Sequence, residues 1–271
     1  MDNRAIGVFD SGLGGLSVVR QLLEVLPRER LVYFGDTGRI PYGTRSPETI
    51  KQYARQDCRF LLRQDVKFII AACGTVSSVA DSVLQELPVE AMGVVQPTAA
   101  AALSATKNGR IGVLGTTATV RSGAFHHALE TGRGDVQVFA QACPLFVSLV
   151  ESGWITRDNE AAVAVARRYL QPLMEQQVDT VILGCTHFPL LSPILSDILG
   201  DGVTLIDSGA ATAAACADWL SSHDALSEGG DGDCRFFVSD RPHDFSAVAQ
   251  MFLGRQVSED VCRVDLESVD V

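Results

Sequence analysis

The chain has 271 residues, 46% of them hydrophobic, enough to bury a core in one large domain or two ordinary ones, and two is the expectation. Its 22 Lys and Arg against 33 Asp and Glu leave a net charge of −11, which excludes the basic face that a nucleic acid or an anionic membrane requires but not a small acidic ligand held by local donors. No apolar run approaches the roughly 18 residues of a membrane span, the charged start "MDNRAIGVFD" leaves no room for a secretory signal, and the 7 cysteines are irregularly spaced, so a reduced, cytoplasmic protein is expected.

Short apolar, β-branched runs alternate with segments of helical spacing. The first strand, Ala5 to Phe9, opens into "FDSGLGGLS", which sets Asp10 and Ser11 at the strand end. Gly12, Gly14 and Gly15 would let backbone amides approach an anion there, yet the pattern is neither of the two phosphate-binding glycine motifs: Ser17 stands where the last Gly would be, and Asp10 would repel phosphate. Tight strand-to-helix packing is the competing reading. A helix over Leu16 to Leu26 stops before Pro27, and a second strand, Leu31 to Gly35, leads into the turn-rich "GDTGRIPYGTRS". There Pro41 and Gly43 bracket Tyr42, in a loop that is either scaffold or a cover over ligand. "SPET" signals the next helix, with Ser46 as N-cap, Pro47 in the first turn, and Ile50, Tyr53, Ala54, Asp57, Phe60 and Leu61 at helical spacing. A third strand, Lys67 to Ala72, ends at Cys73, Gly74 and Thr75, and a fourth covers Val89 to Val95.

The same plan then repeats. Strands over Ile111 to Leu114, Val136 to Ala140, Thr180 to Gly184 and Val203 to Ile206 begin about 105 to 114 residues after their counterparts. "IGVFDSG" recurs as "IGVLGTT", bringing Thr116 and Thr117, and the Cys73 strand recurs as "TVILGCTHFPLL" with Cys185, Thr186 and His187. "AVAVARRYLQPLMEQQ" is an ordinary amphipathic helix, "SEGGDGD" from Ser227 to Asp233 a flexible surface loop, and Arg235 to Val238 a ninth strand. The expected fold is α/β: two pseudo-symmetric parallel-sheet domains facing a shared cleft, one made of residues 1–96 plus 208–271 and the other of 97–207.

In such sheets reacting groups gather beyond the carboxyl ends of strands, where Asp10, Ser11, Cys73, Thr75, Thr116, Thr117, Cys185, Thr186, His187, Asp207 and Ser208 all fall. A single cysteine beside a strand reads as a small buried hydrophobe. Two at matched strand ends, each followed closely by Thr at a helix N-terminus, read as a pair of acid–base thiols whose pKa the helix amides lower from about 8.5 toward neutrality. His187, two residues from one thiol, suits a proton relay. Zinc asks for clustered ligands, and only Cys185 and His187 lie close together, so no metal is expected. None of the three lysines, Lys51, Lys67 and Lys107, is placed for a Schiff base, so amino acid chemistry here would proceed without a cofactor.

Together "FDSGLGGLSV", "GDTGRIPYGTRS", "ACGTVSS", "GVLGTTATVRSGAF", "LVESG" and "GCTHFPLL", with "FFVSDRPHDFSAVAQMFLG" near the end, resemble the glutamate racemases of the aspartate/glutamate racemase superfamily over nearly the whole chain. The resemblance implies a cofactor-independent enzyme that interconverts L- and D-glutamate and supplies D-glutamate for peptidoglycan, and a homodimer is expected. It implies that Cys73 and Cys185 are the opposed acid and base, assisted by Asp10 and His187, with Glu151 a carboxylate on the histidine side that sequence physics alone does not single out. Substrate contacts are expected from Asp10, Ser11, Pro41, Tyr42, Gly43, Gly74, Thr75, Thr117, Thr186 and His187. In one respect the chain departs from the family: the motif most often reads Ala-Cys-Asn-Thr, and here Gly74 takes the Asn position, leaving only a backbone N–H to donate. Two alternatives stand beside this reading: a racemase, isomerase or decarboxylase for another dicarboxylate such as aspartate, and a carboxylate-binding regulatory protein without catalysis.

Overall fold

Strands such as "AIGVFD" and "VKFIIA" are buried at every position, and a strand buried on both faces belongs in a parallel sheet covered by helices. The computed structural model describes residues 1–229, 232–240, 245–256 and 261–266. Among them the strands are β1 (Ala5–Asp10), β2 (Leu31–Gly35), β3 (Val66–Ala71), β4 (Glu90–Gly93), β5 (Arg110–Gly115), β6 (Gln137–Ala142), β7 (Thr180–Leu183), β8 (Thr204–Asp207), β9 (Cys234–Val238) and β10 (Val261–Arg263). They form two sheets, one of six strands in the order β10-β9-β2-β1-β3-β4 and one of four in the order β6-β5-β7-β8. Every pairing is parallel.

The order β2-β1-β3-β4 reappears as β6-β5-β7-β8, so the repeat seen in the sequence is a repeat of topology. β9 and β10 extend only the first sheet, along β2. The halves are not separated by solvent. One apolar cluster runs from Ile6 and Val8 of β1 and the helix Leu16–Val25, through Ala213, Cys216 and Leu220 of the helix Ser208–Ser222, to Val181 and Leu183 of β7.

Observed element ends agree with the expected ones to within a residue or two. β4 stops at Gly93 because Val94 and Val95 turn into the helix Val95–Ala105, with the Ser77 hydroxyl accepting from the Val94 N–H at 3.0 Å. Ser46 caps the helix Pro47–Leu62 as expected, its hydroxyl accepting from Thr49 N at 3.3 Å. The three-residue β10 was not foreseen, since so short a run shows no period. Of the expected surface loop at 227–233, Gly230 and Asp231 lie outside the described residues, as do 241–244 of the last quoted motif. The surface reading fails at Ser227, which is buried: its N–H donates to Glu29 Oε1 at 2.7 Å and its hydroxyl to Asn3 Oδ1 at 3.0 Å.

That contact belongs to a buried ion pair at the end of the first sheet remote from the cleft. Lys67 Nζ lies 2.7 Å from Glu29 Oε2, both side chains being 2% exposed, and it also donates to the carbonyls of Asp2 at 2.7 Å and Ala225 at 2.6 Å. The scarce lysine that opens the third strand is therefore structural, tying β3 to the N-terminus and to the segment after the helix Ser208–Ser222. Replacing Lys67 with Met leaves the Glu29 carboxylate buried without its cation, and chemical denaturation should show a loss of about 3–5 kcal/mol; an unchanged midpoint would contradict this.

Candidate active site

The carboxyl ends of β1, β3, β5 and β7, the two inner strands of each half-sheet plan, converge on one cavity of about 220 Å³. This is smaller than the roughly 300–1,000 Å³ of pockets for drug-sized ligands and suits a small metabolite. Ser11 comes to it from β1, Cys73, Gly74 and Thr75 from β3, Thr116 and Thr117 from β5, and Cys185, Thr186 and His187 from β7. Pro41, Tyr42 and Gly43 form one side, and Glu151 another. A larger open hollow of about 670 Å³ beside Arg39, Tyr53 and Arg263 presents no comparable acid–base pair.

Both thiols are nearly closed off, Cys73 at 5% and Cys185 at 7% exposure. Cys73 caps the helix Gly74–Val79, and its Sγ donates to the Ser11 hydroxyl at 3.4 Å. The sequence suggests a pKa lowered toward neutrality; instead burial, with the charge of Asp10 behind it, pushes the Cys73 thiol up to about 12. The Ser11 hydroxyl and the Val76 N–H pull the other way, but a short helix does not outweigh desolvation.

The surroundings of Cys185 differ. Its Sγ lies 3.8 Å from His187 Nδ1, while His187 Nε2 donates to Glu151 Oε1 at 3.0 Å. Burial disfavours the imidazolium, yet the hydrogen bonds to Cys185 and Glu151 outweigh it and raise His187 to about 10. At neutral pH the ring therefore carries positive charge beside the sulfur.

Asp10 is set apart from the other expected site residues: it is 1% exposed and lies behind the cavity wall. Its Oδ2 accepts from Gly12 N at 2.9 Å, and its Oδ1 is buried with no hydrogen-bond partner among the described residues. Desolvation raises its pKa against the charge of His187 and the amides of Gly12 and Gly15. Tyr42 borders the cavity, but its hydroxyl is engaged with Asp36 and Asp57, so what it offers inward is main chain. Thr75 and Thr116 join the halves directly, Oγ1 to Oγ1 at 3.0 Å.

The glycine-rich turn serves packing. A Cβ on Gly14 would sit 2.6 Å from the His187 ring, so the absence of a side chain lets the loop after β1 close on the histidine. Gly74 is tighter still, since a Cβ there would overlap the carbonyl oxygen of Gly184, one residue before Cys185. The residue that departs from the family motif is thus the point where the two cysteine-bearing segments touch.

Glu151 carried no signal by itself, but one was available. Pro144, Val147, Ser148 and Glu151, at spacing i, i+3, i+4 and i+7, all line the cavity from the helix Pro144–Glu151, while Phe146, Leu149 and Val150 bury the opposite face. Ile40, Thr44, Pro144, Val147 and Ser148 are lining residues that the sequence reading did not include.

Comparison with known proteins agrees with this geometry. The family model for Asp/Glu/hydantoin racemase matches residues 6–216. A glutamate racemase of Geobacter metallireducens is 44% identical over 267 residues, 98% of each chain. The glutamate racemase of Francisella tularensis, solved in complex with D-glutamate, superposes with a TM-score of 0.92 at 35% identity over 99% of this chain and 100% of that one. That of Thermus thermophilus, in complex with β-chloro-D-alanine, gives 0.88 at 42% identity over 98% and 99%.

Two outcomes follow from the site's geometry. Glu151→Gln removes an acceptor that holds the proton on His187, so the ring's titration, observed by NMR, should move from about 10 to lower pH, and an unmoved titration would show that Glu151 is a bystander. Gly74→Ala forces apart the segments bearing Cys73 and Cys185, at a cost of about 1–3 kcal/mol in thermal or denaturant unfolding. Wild-type stability in that variant would mean that the close approach to Gly184 is not maintained.

Proposed function

The chain belongs to the Asp/Glu/hydantoin racemase family, and we propose that it interconverts L- and D-glutamate by proton transfer between two thiols on opposite sides of the substrate. The observation that carries the reading is that Cys73 and Cys185, at equivalent strand ends of the two half-chain repeats, line the same cavity. The D-glutamate bound to the Francisella relative supports the choice of substrate. Its D-product would serve peptidoglycan synthesis.

Inversion at Cα takes a proton from one face and returns one to the other, which two groups on opposite walls accomplish without turning the substrate over. In the resting form Cys73 is the thiol acid and Cys185, beside the imidazolium, is the base. After one turnover the roles are exchanged, and they are restored either by the reverse reaction or, before the next turnover in the same direction, by loss of a proton from one thiol to solvent and gain of one by the other. The Cα–H is a far weaker acid than a thiol, so the carbanion-like transition state needs preorganised donors, and the lining residues Ser11, Gly43, Gly74, Thr75, Thr117 and Thr186 are the candidates to supply them. Loss of one such donor typically costs about 2.7–4 kcal/mol of barrier. The unpartnered Oδ1 of Asp10 is suited to a substrate ammonium that reaches past Ser11, and Asp10 and His187 pass protons to and from their neighbouring thiols.

The same reading divides the chain into a first domain of 1–96 plus 208–271 and a second of 97–207, supported by strands at 5–93 and 234–263 in one sheet and 110–207 in the other. It makes the working form a homodimer. It also puts the enzyme in the cytoplasm, a reducing setting in which the cysteines, unpaired in this structure, remain thiols; no helix of the described residues is long and apolar enough to cross a membrane.

Polarimetry starting from either pure enantiomer tests the proposal. Wild type should abolish the rotation of L- and D-glutamate alike, with aspartate as comparison, and Cys73→Ala and Cys185→Ala should each stop it. Turnover surviving in either variant would remove the two-thiol scheme, and turnover of aspartate alone would replace the substrate.

A further inference from the structure

Tyr42 sits in the loop that walls the cavity, yet its ring is 1% exposed and packs 5.2 Å, centroid to centroid, from Tyr53 inside the first half. Its hydroxyl meets two carboxylates, Asp36 and, at 3.2 Å, Asp57, both 0% exposed. A single cation serves both: Arg39 Nε lies 2.6 Å from Asp36 Oδ2, its Nη2 2.9 Å from Asp57 Oδ1, and its guanidinium 4.0 Å above the Tyr53 ring. Ser239, just past β9, donates to the other Asp36 oxygen at 2.7 Å and accepts from Gly38 N at 2.8 Å. The Asp36 N–H donates to the carbonyl of Asp10 at 2.9 Å, so this cluster abuts the site.

We infer that Asp36 and Asp57 are positioning residues: through the Tyr42 hydroxyl they hold the main chain of 41–44 against the catalytic cavity, with Ser239 as the brace from the end of β9. A phenol has one proton to give, so it cannot donate to both carboxylates. The arrangement closes if Asp57 is neutral and donates to Tyr42, which in turn donates to an ionised Asp36 paired with Arg39. Burial and the charge of Asp36 do raise the Asp57 pKa well above the usual carboxylate range, against Arg39 and the Tyr42 hydrogen bond. Among the described residues the second half has no strands equivalent to β9 and β10, and Ser239 gives the extension a role at the site.

The assignment rests on the cavity being the glutamate site. In steady-state kinetics Tyr42→Phe and Asp57→Ala should raise KM for glutamate roughly tenfold, the effect of a lost hydrogen bond to a charged or buried partner, with a smaller change in kcat. Asp57→Asn, whose amide can donate as a neutral acid does, should stay within about twofold of wild type. Tryptic cleavage after Arg45 gives a readout independent of turnover: it should quicken in Tyr42→Phe and in Ser239→Ala, a milder change should Asp57→Ala not fold. Unchanged KM and cleavage in these variants would overturn the inference, and Asp57→Asn behaving like Asp57→Ala would overturn the neutral donor. Wild type inactive on glutamate would instead count against the functional reading itself.

Discussion

Two thiols almost closed off from water line one cavity, and the structure gives each of them a different electrostatic neighbourhood. Desolvation raises Cys73 to about 12, while a histidine held protonated to about 10 lies 3.8 Å from Cys185. Each pKa unit is worth about 1.4 kcal/mol, so burial gives Cys73 a firm hold on its proton. The difference lies in the neighbours, Asp10 behind one thiol and His187 with Glu151 beside the other, and not in the strands that carry them.

The two halves share one strand order, and their differences at equivalent positions explain the asymmetry. Where "IGVFDSG" aligns with "IGVLGTT", Asp10 faces Gly115 and Ser11 faces Thr116; two residues beyond the cysteines, Thr75 corresponds to His187. Each half thus has one titratable residue at a place where the other has a neutral one. Besides the apolar cluster that joins them, the halves meet at the cleft where Gly14 approaches Thr186 and His187, where Gly74 approaches the Gly184 carbonyl, and through the hydroxyl pair Thr75–Thr116.

The strands and the site's outline were legible because parallel strands buried on both faces leave unbroken apolar runs, and because a repeat brings equivalent strand ends together. Local words such as "ACGT" and "GCTH" marked the thiols for the same reason. What escaped was decided by distance in space. The direction of the Cys73 shift depends on burial in the folded chain and on a carboxylate 63 residues earlier in the sequence. Asp57 reads as one more member of a helix pattern, and only folding shows that it faces Asp36 and Tyr42 in a core. β10 is too short to show a period, and Ser227 is buried by a glutamate almost two hundred residues away.

The most direct measurement of the two-thiol account is the isotope at Cα during the first turnovers in deuterated water, starting from one protiated enantiomer of glutamate. Product should appear carrying deuterium while the remaining substrate keeps its protium, because the sulfur that returns a proton is not the one that removed it. Product that retains the substrate's own hydrogen would mean that one group serves both faces, and would contradict the account.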